Sequence, residues 1–165
     1  MNLLENEPVE RVAKLLVEFD KNLKIIVLDT SARTAKEAAF SLNCEVGAIV
    51  KSLLFKTEST FTLCLVSGDK KASLKKIKRT LGIKDASMAS AEEVKKITGF
   101  SIGGVSPVGH LNEIKILMDN SLERFDTIYA AAGHPNCIFK ISFENLKKIT
   151  KSLIEDIVEW NNQNY

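Results

Sequence analysis

The sequence has few of the side chains from which catalytic centres are usually built. Its 165 residues include three cysteines and two histidines, with no metal-ligand spacing and no nucleophile–base pair among them. Cys44, Cys64 and Cys137 are odd in number, far apart and set among apolar neighbours. That pattern implies reduced, buried thiols in a cytoplasmic protein and argues against a disulfide framework or a CxxC-type metal site. The net charge is only +2, so any nucleic-acid affinity must come from local clusters. The start, Met1-Asn2-Leu3-Leu4-Glu5-Asn6-Glu7, lacks the basic and apolar regions of a signal peptide. No apolar run is long enough to span a bilayer. No repeat, low-complexity segment or linker interrupts the chain, and its length suits one domain over residues 1–165.

What is present reads as interspersed helices and strands. Pro8 opens a helix in which Val9, Val12, Ala13, Leu16 and Phe19 recur at helical spacing. Lys24 to Leu28 is a β-branched strand. Thr34 and Ser90 each stand three residues before a glutamate, as capping boxes do. The apolar runs Lys51–Lys56 and Phe61–Val66 predict a hairpin, and a lysine-rich helix is expected from about Lys71 to Leu81. Further strands are expected at Ile114–Met118, Thr127–Ala131 and Cys137–Ile141, then a helix capped by Ser142. The last segment, Leu153 to Trp160, has helical periodicity. The elements do not alternate strictly, which fits an α/β fold with a mixed sheet or partly closed barrel flanked by helices.

Two features stand out as candidate chemistry. Gly103-Gly104-Val105-Ser106-Pro107-Val108-Gly109 is a loop whose backbone can approach a ligand closely. It is either a tight connection or a set of N–H groups aimed at a carbonyl or phosphate oxygen. No Gly-Lys-Ser/Thr follows it, so it is not a Walker motif. Lys51 shares a strand face with Leu53 and Phe55, where an unpaired ammonium is expensive. It must therefore snorkel to the strand end or meet an anion. His110 and His134 lie beside turn residues with no serine or cysteine placed to partner them, and His134 is the better candidate of the two. Lys71, Lys75, Lys78 and Arg79 would gather on one side of the lysine-rich helix, as a solvated face or a track for phosphates. The cysteines and Trp160 read as packing residues.

The order of Lys51-Ser52-Leu53-Leu54-Phe55, Ser67-Gly68-Asp69, Thr98-Gly99, the glycine loop, Asp126-Thr127-Ile128-Tyr129 and Ala132-Gly133 resembles the YbaK/prolyl-tRNA synthetase-associated domain family. The resemblance runs from about Val9 to Glu159. It implies a curved, barrel-like mixed sheet flanked by helices and hydrolysis of mischarged aminoacyl-tRNA; no cofactor is expected, a synthetase is a further candidate partner, and the oligomeric state stays open between monomer and homodimer. Lys51 then matches the family lysine that engages the 3′-terminal adenosine and its phosphate. Gly103, Gly104, Val105, Ser106 and Pro107 match the loop that positions the aminoacyl carbonyl. Thr34, Ser67, Gly68, Asp69, Gly133 and His134 fall with the substrate site; with a tRNA substrate, the basic residues Lys71, Lys75, Lys78 and Arg79, read above from their charge, are the candidate tRNA contacts. Cysteine-specific members tend to carry Gly-Lys-Arg-Gly where this chain has Gly133-His134-Pro135-Asn136, so alanine, serine and threonine stand beside cysteine as candidates. The alternatives are a non-catalytic module that binds tRNA ends or nucleotides, and a regulatory interaction protein.

Overall fold

The computed structural model describes residues 2–30 and 32–160. Of the domain expected over residues 1–165, Met1, Ser31 and the last five positions lie outside the described residues.

Helix α1 (Glu7–Phe19) starts with Pro8 in its first turn and buries Val9, Val12 and Leu16 completely, one stripe at helical spacing. Strand β1 (Ile25–Val27) follows, then α2 (Ala35–Leu42), whose first turn is capped by the Thr34 hydroxyl accepting from the Glu37 N–H at 3.1 Å. Strands β2 (Val50–Thr57) and β3 (Thr60–Ser67) form the expected antiparallel hairpin, with Lys51 opposite Val66 and Leu53 opposite Cys64. Next come β4 (Lys71–Ala72), α3 (Leu74–Leu81), β5 (Ala86–Met88) and α4 (Ala91–Thr98). The Ser90 capping box is complete, with both reciprocal bonds made. The glycine loop then leads to β6 (Lys115–Asp119), β7 (Ile128–His134), β8 (Cys137–Ile141), α5 (Phe143–Thr150), β9 (Leu153–Glu155) and β10 (Val158–Glu159).

The strands form a mixed five-stranded sheet in the order β5-β2-β3-β6-β9, a three-stranded sheet β1-β8-β7 and a small β10-β4 pair. The expected barrel is therefore corrected: the sheets are open, and none is curled or closed. Closure would need a ladder between β2 and β7, but among the described residues only one isolated bridge, Ile49 to Tyr129, joins that region. Residues of both sheets line the cavity described below.

Two other expectations fail for the same kind of reason. Ser73, not Lys71, begins the lysine-rich helix, because its hydroxyl accepts from the Lys76 N–H at 3.2 Å. Lys71 instead pairs with Glu159 in the β4–β10 ladder, away from the helix that carries Lys75, Lys78 and Arg79. Leu153–Trp160 is not helical. Its first half adds in parallel to β6, and the buried Asp119 carboxylate accepts from the Ile157 N–H at 2.7 Å. Long-range pairing outweighs local periodicity there.

Most of the core lies between α1, the β2–β3 hairpin and β7–β8, where Leu16, Leu63, Leu65 and Phe139 are fully buried. Side chains of this size contribute roughly 1.5–3 kcal/mol each on burial. Cys64 and Cys137 are buried as expected, but Cys44 is only half-buried.

Candidate active site

A cavity of about 520 Å³ occupies the gap between β2 and β7–β8, closed at one end by α2 and at another by the glycine loop. Of the residues expected to form a site, it brings together Thr34, Lys51, Gly68, Gly103 and Val105. Its walls are chiefly apolar, from Val50, Leu54, Ala130 and Ile138 among others. Gly104, Ser106, Pro107, Gly133 and His134 lie behind this surface, and Lys71, Lys75, Lys78 and Arg79 lie apart from it.

The glycine loop owes its path to close backbone packing. Gly103 has φ +96°, which favours glycine. A Cβ at Gly104 would stand 2.8 Å from the His134 amide nitrogen, so no side chain fits between the loop and the end of β7. The Gly104 carbonyl accepts from the Gly133 N–H at 3.0 Å, while its own N–H donates to Ser101 O at 2.9 Å. The Gly104 amide is thus engaged within the loop. Among the described residues, the amides of Gly103, Val105 and Ser106 make no hydrogen bond.

Both histidines act as props for this loop. The His110 ring donates through Nε2 to Ser106 O at 2.7 Å and meets Phe100 edge-on. Burial holds its pKa below the ordinary value. His134 Nδ1 accepts from the Asn136 N–H at 3.0 Å, fixing the β7–β8 turn. Arg11 clips α1 to the same region by donating to Gly109 O and Gly99 O.

Lys51 is half-buried, and its ammonium donates to Lys70 O. Burial pulls its pKa below the usual lysine value, while the nearby Asp69 carboxylate works in the opposite direction. The turn Ser67–Lys70 that supplies this carbonyl is held by Arg124, a residue the sequence does not single out. Its guanidinium donates to both Asp69 carboxylate oxygens, at 2.7 and 3.1 Å, to Ser67 Oγ at 2.8 Å and, through Nε, to Ser121 O at 2.7 Å. Ser67 Oγ also bonds to Gly47 O. Burial raises the Asp69 pKa, but hydrogen bonds from Arg124 and Ser67, with the charges of Arg124 and Lys70, bring it below the ordinary value. Trp160 lies over the same cations, its ring 4.3 Å from Lys70 Nζ and 5.7 Å from the Arg124 guanidinium carbon. Ser67 and Asp69 therefore shape the lysine's surroundings from outside the cavity, and Gly68 alone of that turn lines it. A Cβ at Gly68 would come within 2.3 Å of Val46 O.

Ser52, which follows Lys51 in the first motif and is given no role by the sequence, lines the cavity, and its buried hydroxyl has no partner. Among the described residues no group of three or more His, Cys, Asp or Glu side chains can hold a metal, and no helix is long and apolar enough to cross a membrane.

Comparison with known proteins places this geometry in a family. Residues 29–149 match the model of the aminoacyl-tRNA editing domain. The uncharacterized protein YwhH of Bacillus subtilis is 32% identical over 138 residues, covering 83% of this chain and 87% of its own. The proline–tRNA ligase of Thermosipho africanus is 36% identical over 106 residues, covering 64% of this chain but only 18% of the ligase. Among solved structures, a candidate trans-editing enzyme for prolyl tRNA synthetase superposes with a TM-score of 0.87 at 38% identity, covering 92% of this chain and 97% of that one. By the extent of these matches and the fold they share, the chain belongs to the aminoacyl-tRNA editing domain family.

Proposed function

We propose that this protein is a trans-editing hydrolase that removes a small amino acid, such as alanine, serine, threonine or cysteine, from mischarged tRNA. The observation that carries this reading is the meeting, on one cavity, of unengaged loop amides and a lysine. Its volume of about 520 Å³ is that of a small-molecule site. The names of its relatives favour tRNA-Pro as the tRNA served and a prolyl-tRNA synthetase as the enzyme whose errors are corrected.

In this mechanism Lys51 anchors the terminal phosphate of the tRNA, and the 3′ end lies along the cavity. The N–H groups of Gly103 and Val105 face the ester carbonyl. A water molecule, or the neighbouring ribose hydroxyl, adds to the carbonyl carbon, and the electron pair of the C=O bond moves to oxygen. Loop amides stabilise that oxyanion; one such donor is worth roughly 3 kcal/mol, about a hundredfold in rate. Collapse re-forms the carbonyl and breaks the bond to the ribose oxygen, which takes up the proton released by the nucleophile. With water the products are the free amino acid and tRNA; with a ribose hydroxyl, the transferred ester is hydrolysed in a second step. An aminoacyl ester is already activated, so no covalent enzyme nucleophile is needed. Gly104, Ser106, Pro107, Gly133 and His134 hold the loop, and Thr34 closes the far end. Lys75, Lys78 and Arg79 follow the tRNA backbone, and Lys71 meets it separately from β4.

The test is deacylation of tRNA-Pro and other tRNAs charged with alanine, cysteine, serine or threonine, with Lys51→Ala as control. Turnover that collapses in the variant supports the reading. Binding of tRNA without turnover would make the protein a non-catalytic module; neither binding nor turnover would point to a regulatory role.

A further inference from the structure

Among the described residues, Ser52 is the one polar side chain on the cavity wall whose hydroxyl is buried without a partner. Native proteins seldom leave such a group unpaired, because the desolvation cost is not recovered. Its neighbours on the same strand face, Val50 and Leu54, are apolar, as are Val105 and Ala130 across the gap. Thr34 caps α2, Lys51 donates to Lys70 O, and Arg33 stands by Gly103.

The backbone at Ser52 is open as well. Ile49 O accepts from the Gly68 N–H on the β3 side, whereas Leu54 O accepts from the Ala89 N–H on the opposite side. Antiparallel alternation then directs the N–H and C=O of Ser52 away from β3, toward the gap between the sheets. Strand β5 covers β2 only from Phe55 to Thr57, so the Ser52 amide has no strand partner there. Ser52 itself is half-exposed and lines the cavity, so its hydroxyl sits at the boundary of that space. One residue thus offers an amide donor, a carbonyl acceptor and a hydroxyl in an otherwise greasy wall.

We propose that Ser52 is the specificity-determining residue of the cavity, pairing with the side-chain hydroxyl of a seryl or threonyl group and so favouring these over alanyl. The inference rests on the deacylase reading and names the substrate class it prefers. A hydroxyl-bearing substrate relieves the unpaired group, whereas a methyl leaves it buried and unsatisfied. Discrimination of this kind comes from groups left without partners more than from size. The cationic side chains of Lys51 and Arg33 on the lining suit the phosphate end of the ligand, leaving the apolar wall for the amino-acid side chain.

The experiment compares wild type with Ser52→Ala on tRNA charged with serine, threonine or alanine, with thermal unfolding to show that the fold is kept. The expected result is a loss of about tenfold or more on seryl- and threonyl-tRNA, the scale of one buried hydrogen bond, with alanyl-tRNA little changed. Ser52→Thr, which retains a hydroxyl, should restore much of the preference. Equal losses on all three substrates, or no loss on any, would overturn the assignment. If wild type hydrolyses none of them, binding of the non-hydrolysable amides 3′-seryl- and 3′-alanyl-amino-adenosine is measured by calorimetry. A seryl preference abolished by Ser52→Ala then upholds the residue's role while the hydrolytic reading fails; no preference in wild type refutes the role.

Discussion

The guanidinium of Arg124 holds both carboxylate oxygens of Asp69, fifty-five residues away in sequence, at 2.7 and 3.1 Å. Through that grip it fixes the turn whose Lys70 carbonyl receives the Lys51 ammonium. The network couples a surface arginine to the cation that the mechanism assigns to substrate phosphate.

Arg124→Ala should destabilise the protein by ~1–2 kcal/mol, less than the sum of its hydrogen bonds because the pair is partly exposed. Urea unfolding should show a lower midpoint at unchanged slope. The Asp69 pKa is held below its ordinary value of 3.8, so its contribution to stability is complete above that pH and fades as pH falls through the folded-state value. Asp69→Asn should therefore lessen the loss of stability on acidification, compared by unfolding at about pH 6 and about pH 3.

Lys51→Ala should lower deacylation by roughly 10–100-fold, the range for a lost charged hydrogen bond. Because burial depresses its pKa, activity should fall on the alkaline side at a pH below the ordinary 10.5 for lysine. Asp69 opposes that depression, so Asp69→Asn should move the alkaline limb lower still. Lys51→Arg, if active, should remove the limb. The check is a pH–rate profile corrected for spontaneous ester hydrolysis.

Gly104→Ala should be worse than Gly103→Ala. The new methyl at Gly104 meets backbone atoms of His134 at 2.8 and 2.9 Å, whereas at Gly103 the nearest atom is Arg33 Cγ at 3.2 Å, on a side chain that can move. Overpacking against backbone costs about 1–3 kcal/mol, and the positive φ at Gly103 costs about 1 kcal/mol. Thermal unfolding ranks the two; an equal shift would mean that the loop moves away from β7 at little cost.

Thiol titration with a disulfide reagent at about pH 8 should find one accessible cysteine in the folded protein. Cys44 is half-buried, while Cys64 is buried with its pKa pushed up to about 12, and Cys137 is also buried. Cys44→Ser should abolish the fast phase and leave two thiols that react only on unfolding.

Neutralising Lys75 and Lys78 on α3 should weaken tRNA binding and flatten its salt dependence. The log–log slope should fall by about 0.7–0.9 for each phosphate no longer neutralised. Lys71 lies on β4, so its replacement tests a separate part of the surface. Filter binding across a salt series distinguishes them, and an unchanged slope returns α3 to an ordinary solvated face.

Much of this molecule is written locally. The Thr34, Ser90 and Ser142 caps, the β2–β3 hairpin, the stripe on α1 and the positive-φ Gly103 are short-range instructions, readable wherever a hydroxyl, an alternation or a glycine dipeptide sets the backbone. The motif order was enough to point to an editing-domain family. How distant pieces meet was decided only in three dimensions. Ladder formation with β6 overrode helical periodicity in Leu153–Trp160, and Ser73 displaced Lys71 from the basic helix. Nothing near Arg124 signals its hold on Asp69, because a salt bridge across fifty-five residues leaves no local pattern. The open sheets, in place of a barrel, are likewise a tertiary outcome: among the described residues one isolated bridge joins β2's end to β7, and Ser52 and Lys51 of β2 line the cavity with residues of β7 and β8. Local chemistry made the loop and the strand; the distance between sheets made them a site.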